Sequence, residues 1–246
     1  MKIKLLAAAA SAAMLTVCLG GCAQQATVAP APESEPEAVE ADATEERQDL
    51  VIEESGYYID EFGSGHYAVI ISNPNSSWAA EAISLDVTSK DAAGNIVGTT
   101  QSGTTLLFPS GKTAICGRTF DAVAPETLEF SVSVRSTGWT EMSEPTQDEF
   151  NSVFHVDGLN EVAGSYGQTS FTGELVNETE GTFSLPSVHV VMRDESGAVV
   201  GGCFGYVGSS SEIAGGQTVA FSIDESDVPA HATIEAYVDC GYPQSA

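Results

Sequence analysis

Basic side chains are scarce: eight Lys and Arg stand against 35 Asp and Glu in 246 residues, a formal net charge of −27. Nucleic-acid binding rests on clustered cations, and here Lys90, Lys112, Arg118, Arg135 and Arg193 are scattered, so no nucleic-acid partner is expected. The same deficit argues against lying flat on anionic lipid. A cationic partner is compatible with the charge, which by itself also keeps an exported domain soluble and monomeric. Catalytic signatures are missing as well: there is no Gly-x-Ser-x-Gly elbow, Ser-x-x-Lys pair or Gly-rich phosphate cradle. His66, His155, His189 and His231 lack paired metal-ligand spacing and read as satisfied or surface histidines. Acidic pairs such as Asp60-Glu61 are too common in so acidic a chain to nominate an acid and a base. The expectation is a non-enzyme with no metal and no cofactor.

A long apolar run is also lacking. Met1-Lys2-Ile3-Lys4 precedes an Ala- and Leu-rich stretch from Leu5 to Val17, well short of the roughly 20 residues that cross a bilayer as a helix. That is the shape of a signal peptide. It ends in Leu19-Gly20-Gly21-Cys22, which resembles the lipobox of bacterial lipoproteins. The resemblance implies removal of residues 1 to 21, diacylglycerol on the Cys22 thiol and a partner in the membrane through that lipid, on the extracytoplasmic face. The alternative is an ordinary secretory signal cut after Ala23, with Gly21 and Ala23 as its small residues.

Residues 22 to 50 hold Glu33, Glu35, Glu37, Glu40, Asp42, Glu45, Glu46 and Asp49 against Arg47 alone, with Pro30, Pro32 and Pro36 at the front. Too few apolar groups are present to fill a core, so the segment reads as a disordered acidic tether. About 30 such residues span about 30 Å, and self-repulsion lengthens them further.

The remainder contains a duplication. Asp91-Ala92-Ala93-Gly94-Asn95-Ile96-Val97-Gly98 matches Asp194-Glu195-Ser196-Gly197-Ala198-Val199-Val200-Gly201. Ser72-Asn73 aligns with Val176-Asn177, and Ser110-Gly111-Lys112-Thr113 with Gly215-Gly216-Gln217-Thr218. Between these points apolar and polar residues alternate over short runs, as in Phe130, Val132 and Val134 against Glu129, Ser131 and Ser133. That is the period of a strand. At Asp91 and Asp194 the side chain can cap a hairpin turn while Gly94 and Gly197 supply positive φ. The fold class expected is all-β, two tandem antiparallel sandwiches over residues 51–136 and 152–246 joined by a linker at 137–151.

The pieces Val87-Thr88-Ser89-Lys90-Asp91-Ala92-Ala93-Gly94 and Val190-Val191-Met192-Arg193-Asp194-Glu195-Ser196-Gly197 resemble the FxLYD-type domains. Those are small Ig-like β-sandwiches, often duplicated, of secreted prokaryotic proteins. Both copies depart from the pattern, carrying Val, Ser or Met at its aromatic and Leu positions. The resemblance covers about 57 to 136 and 153 to 240 and implies an extracellular accessory module without a catalytic residue.

Of five cysteines, Cys18 leaves with the signal and Cys22 is lipidated. Cys203 and Cys240 are the candidate disulfide, worth roughly 3 to 4 kcal/mol, with two buried free thiols as the alternative. Cys116 aligns with Phe221 and reads as a buried structural thiol. Tyr57, Tyr58, Phe62, Tyr67, Trp78 and Trp139 are candidates for a recognition surface or, alternatively, for packing. The composite expectation is a membrane-anchored, surface-exposed binding or accessory module of the cell envelope, its partner an envelope or extracellular protein or glycan. A structural spacer or assembly subunit is the alternative, and a hydrolytic enzyme comes third.

Overall fold

Alternation produces strands wherever one face of a segment is apolar, and nearly every strand of this chain finds an antiparallel neighbour. The computed structural model describes residues 47–164, 167–208, 211–241 and 243–244. The lipobox, Cys22 and residues 22 to 46 of the acidic segment lie outside them. The fold is all-β and antiparallel, with one short helix among the described residues.

In the first half, β1 (Val51–Ile59), β2 (Gly65–Ser72) and β5 (Lys112–Arg118) form one sheet in the order β1-β2-β5. β3 (Trp78–Lys90), β4 (Ile96–Leu107) and β6 (Thr127–Ser133) form a second, in the order β4-β3-β6. Tyr67, Val69, Ile71, Leu85, Val87, Leu107, Ile115 and Leu128 fill the space between them. The segment expected as a linker is instead structured. β7 (Trp139–Glu141) pairs with β3, and α1 (Gln147–Asn151) begins with a capping box of Thr146 and Glu149. Phe150 of this helix is buried with Phe108 at 5.0 Å, Phe154 at 5.3 Å and Phe183 at 5.7 Å between ring centroids.

The second half repeats the topology. β8 (Phe154–Ala163), β9 (Gln168–Asn177) and β14 (Thr218–Ser226) match the first sheet, while β11 (Ser187–Arg193), β12 (Val199–Tyr206) and β15 (Thr233–Asp239) match the second, in the same orders. A small sheet of β10 (Thr182–Ser184), β13 (Glu212–Ile213) and β16 (Pro243–Gln244) is added at one side. Phe154, Phe171, Leu175, Val188, Val190, Met192, Phe221 and Ile223 make the second core. The duplication extends to atoms. Asn73 Nδ2 donates to the carbonyls of Trp78, Leu107 and Phe108, and Asn177 Nδ2 to those of Gly181, Ile213 and Ala214.

The halves are not beads on a string, since the described residues from 47 onward form one compact unit. A third apolar cluster of Ala68, Ile70, Ala114, Cys116, Val191 and Val199 joins the back of the β1-β2-β5 sheet to the back of the β12-β11-β15 sheet. Four sheets therefore stack in layers, and β2 and most of β11 are buried on both faces. Close approach is permitted by glycine: a Cβ on Gly202 would lie 2.7 Å from Cys116 Sγ and 2.8 Å from Ala68 Cβ, and one on Gly56 would strike the Val199 carbonyl.

Polar ties surround this seam. Arg193 pairs with both Glu54 and Glu235. Asp239 accepts from Thr104 Oγ1 at 2.8 Å and from the Thr105 N–H at 3.0 Å; burial raises its carboxyl pKa despite these donors. The Cys116 N–H donates to His189 Nδ1 at 3.0 Å, and burial holds that imidazole down at about 4, so it is neutral.

Candidate functional site

The expected turn residues occupy matching hairpins. Asp91 Oδ1 accepts the N–H groups of Ala93 and Asn95 at 2.9 and 2.8 Å, and Asp194 Oδ1 those of Ser196 and Ala198 at 2.8 and 3.0 Å. Gly94 and Gly197 have φ of 82° and 85°. These are structural turns.

Cys203 and Cys240 are buried and unbridged, as is Cys116. The expected disulfide is corrected by sheet order, because β11 lies between the two strands that carry these residues. Cys203 is opposite Val190, whereas Cys240 follows Asp239, the partner of Ser187. Two strand spacings are about 10 Å, beyond the roughly 7 Å between Cα atoms that a bridge tolerates. Cys116 is a buried thiol, but it is not the counterpart of Phe221. Cys116 pairs with Ala68 as Ser222 pairs with Thr172, so with Asn73 matched to Asn177 its equivalent is Ser222. A shift of one residue moves the thiol from the sandwich core to the seam.

Trp78 and Trp139 are half-buried and share the Arg47 guanidinium, 5.9 and 5.0 Å from their ring centroids. Trp139 lies against the first core. Beside them Asn75 and Gln48 exchange hydrogen bonds of 2.7 and 2.8 Å. These contacts fasten the chain where it joins the folded body.

The arrangement with most chemical content lies at the seam. β4, β5, β12 and β14 are each the edge strand of a different sheet, and all four border a cleft of about 390 Å³. Thr100, Gln101 and Ser102 come from β4, Arg118 from β5, Phe204 from β12 and Glu225 from β14. Gly117 and Gly202 also line it, their missing side chains making room for Tyr67 and for Cys116.

Phe204 is on the seam face of its sheet, opposite His189, with Tyr206 two residues further along. Both extend past the cover of the first half and are 42 % and 69 % exposed. Phe204 stacks on His189 at 5.4 Å and meets Tyr206 edge-on at 6.1 Å. Across the cleft Phe120 is 79 % exposed, with the Arg118 guanidinium 5.2 Å from its ring centroid. Nearby loops add Phe62 and Val123, 76 % and 56 % exposed.

A charged line closes the inner end. His66 Nε2 is 3.0 Å from Asp60 Oδ2 and its Nδ1 is 3.5 Å from Glu225 Oε1. Arg118 Nη2 donates to the same Asp60 oxygen at 2.8 Å. Burial opposes charge on His66, yet Glu225 and Asp60 outweigh it and raise the imidazole pKa. Burial would likewise raise Asp60, but the N–H groups of Ser64 and Phe62 and the imidazole hold its carboxyl below the usual range. With both ring nitrogens facing carboxylates, His66 is arranged as an ion-pair member and not as a base for a nucleophile. Burial pushes the Cys203 thiol up, away from thiolate chemistry. Among the described residues no group of His, Cys, Asp and Glu is disposed to hold a metal, and no helix is long and apolar enough to cross a membrane.

The cleft was not visible in the sequence, because its residues, from His66 to Glu225, are separated by up to 159 positions and meet only when the sheets stack. The one local signal was the aromatic Phe204-Gly205-Tyr206 in a strand whose first-half counterpart is polar. Comparison with protein-family models gives no match, and comparison with curated proteins gives none either.

Proposed function

We propose that this chain is a lipid-anchored lipoprotein of the extracytoplasmic membrane face whose folded part, two Ig-like sandwiches of FxLYD type, is a non-enzymatic binding module. The observation that carries the reading is the cleft shared by both halves, with its rim of exposed Phe120, Phe204 and Tyr206. Exposed aromatics around a concave site favour recognition. Its position adds support. The chain joins the body beside Val51, which pairs with Ser72, which pairs with Lys112. The cleft lies at the other end of the same strands, at Tyr58, His66 and Arg118. From Lys112 to Arg118 is about 20 Å at about 3.4 Å per residue. The cleft is therefore at the end of the folded body opposite to where the N-terminal segment enters it.

Two measurements test this. Mass spectrometry of the N-terminal peptide should find diacylglycerol on Cys22, and Cys22→Ala should release the protein from the membrane fraction; an unlipidated, membrane-free wild type refutes the anchor. Photo-cross-linking from position 206 on intact host cells should capture a reproducible component. Capture only from the outward edge of β8 would favour a spacer or assembly subunit that pairs through an open strand.

A further inference from the structure

We infer that the seam cleft is a carbohydrate site that takes about two neutral pyranose rings, a conclusion that rests on the binding reading above. The charges come first. His66 and Arg118 are matched by Asp60 and Glu225 within 3.5 Å, so the cleft offers no uncompensated charge. Two carboxylates repel a phosphate or carboxylate ligand, and the Arg118 guanidinium repels a cation. A neutral ligand is what remains. Its polarity follows from the walls: β4 contributes the hydroxyls of Thr100 and Ser102 and the amide of Gln101, and Glu225 supplies an acceptor.

Gln101 Nε2 is already used by Asp86 at 2.9 Å and the Ser102 hydroxyl by Tyr67, so a purely apolar guest would cover chiefly the Thr100 hydroxyl, the Gln101 carbonyl and the outer oxygen of Glu225. Aromatic faces complete the pattern. One side of Phe204 is occupied by His189 and one side of Phe120 by Arg118, and the rings remain 42 % and 79 % exposed. The negative face of an aromatic ring attracts the polarised C–H groups on the flat side of a pyranose, while the sugar's hydroxyl rim meets the polar wall. Of neutral ligands, sugars combine flat C–H faces with a dense rim of donors and acceptors. The volume, about 390 Å³, lies within the range of roughly 300 to 1,000 Å³ usual for small-molecule sites, and the open mouth lets a longer chain continue outward past Tyr206.

The test is saturation-transfer NMR on the full chain in detergent micelles, against di- to tetrasaccharides built from neutral hexoses and from N-acetylhexosamines. At least one should bind with a dissociation constant of about 1 mM or tighter. Phe120→Ala, at a position too exposed to disturb folding, and Phe204→Ala should each weaken it by about tenfold. Val51→Ala, at the opposite end of the body, should leave it unchanged. No binding across the panel, or binding indifferent to both Phe substitutions, overturns the inference. The cross-linking from position 206 separates the two levels. A captured protein without glycan refutes the carbohydrate and leaves the binding reading standing, whereas capture of nothing together with an empty panel refutes both.

Discussion

Acidification should loosen the seam through one residue, His189. The imidazole is buried, accepts the Cys116 N–H across the seam at 3.0 Å and has a pKa held at about 4 by burial. An unfolded chain protonates it near 6.5. Between those values the unfolded state binds the extra proton, so stability falls as pH drops from about 6.5 towards 4 and is unaffected above. At about 1.4 kcal/mol per tenfold difference in proton affinity, the loss is about 2 kcal/mol at pH 5 and about 3 kcal/mol below pH 4. His66 works in the opposite sense: its raised pKa contributes stability below 6.5 that is lost as pH climbs through the folded value. A comparison that cancels His66 is therefore required. His189→Asn keeps an oxygen near Nδ1 for the Cys116 N–H and cannot titrate. Urea unfolding of residues 44–246 with and without this substitution, at pH 7.5 and pH 5, should show the variant gaining about 2 kcal/mol relative to wild type on acidification. A difference independent of pH refutes a neutral, buried His189.

Three further outcomes are expected. Gly202→Val drives a side chain into Cys116 and Ala68; it should cost about 1 to 3 kcal/mol and split a single unfolding transition into two, as read by fluorescence and far-UV circular dichroism. Thiol titration of residues 44–246 should find three groups unreactive when folded and all three reactive in urea; a count of one in urea would restore the Cys203–Cys240 bridge. Asn73→Ala and Asn177→Ala should each destabilise by about 1 to 3 kcal/mol in thermal melts, because each strips a donor from three carbonyls; unchanged melting would refute their role as matching braces.

The strands, the hairpin turns and the duplication were legible because each depends on neighbours in sequence. Asp91 caps atoms within four residues of itself, and the alternation around Phe130 reports one buried face. What the sequence hid depends on neighbours in space. A run such as Ala68 to Ile71 is as consistent with a strand inside one sandwich as with one buried between two sheets. The disulfide was misread because an inward-facing cysteine at a strand end says nothing of which strand lies between it and its partner. Cys116 was placed on the wrong face by one residue of alignment, where a strand's period of two leaves no tolerance. Trp139 looked like an isolated aromatic in a linker and Phe150 drew no notice, since the strand and helix they anchor are too short to show a period.

The duplicated sheets meet head to tail. A first-type sheet of one copy rests on a second-type sheet of the other, an arrangement that does not close on itself and would in principle accept a third copy at either end. Its ends are made unsuitable. Where the seam has Ile70 and Ala68, the outer sheet of the second copy has Glu174 and Thr172; where it has Val191 and Tyr237, the outer sheet of the first has Thr88 and Ser131. Polar substitution of a repeated docking face is how stacked arrays are terminated. The same sequence differences that let the two copies adhere thus also set the length of the assembly, and only apolar residues at both ends, at Glu174 and Thr172 on one and at Thr88 and Ser131 on the other, would restore the repeated docking face that a growing fibre needs.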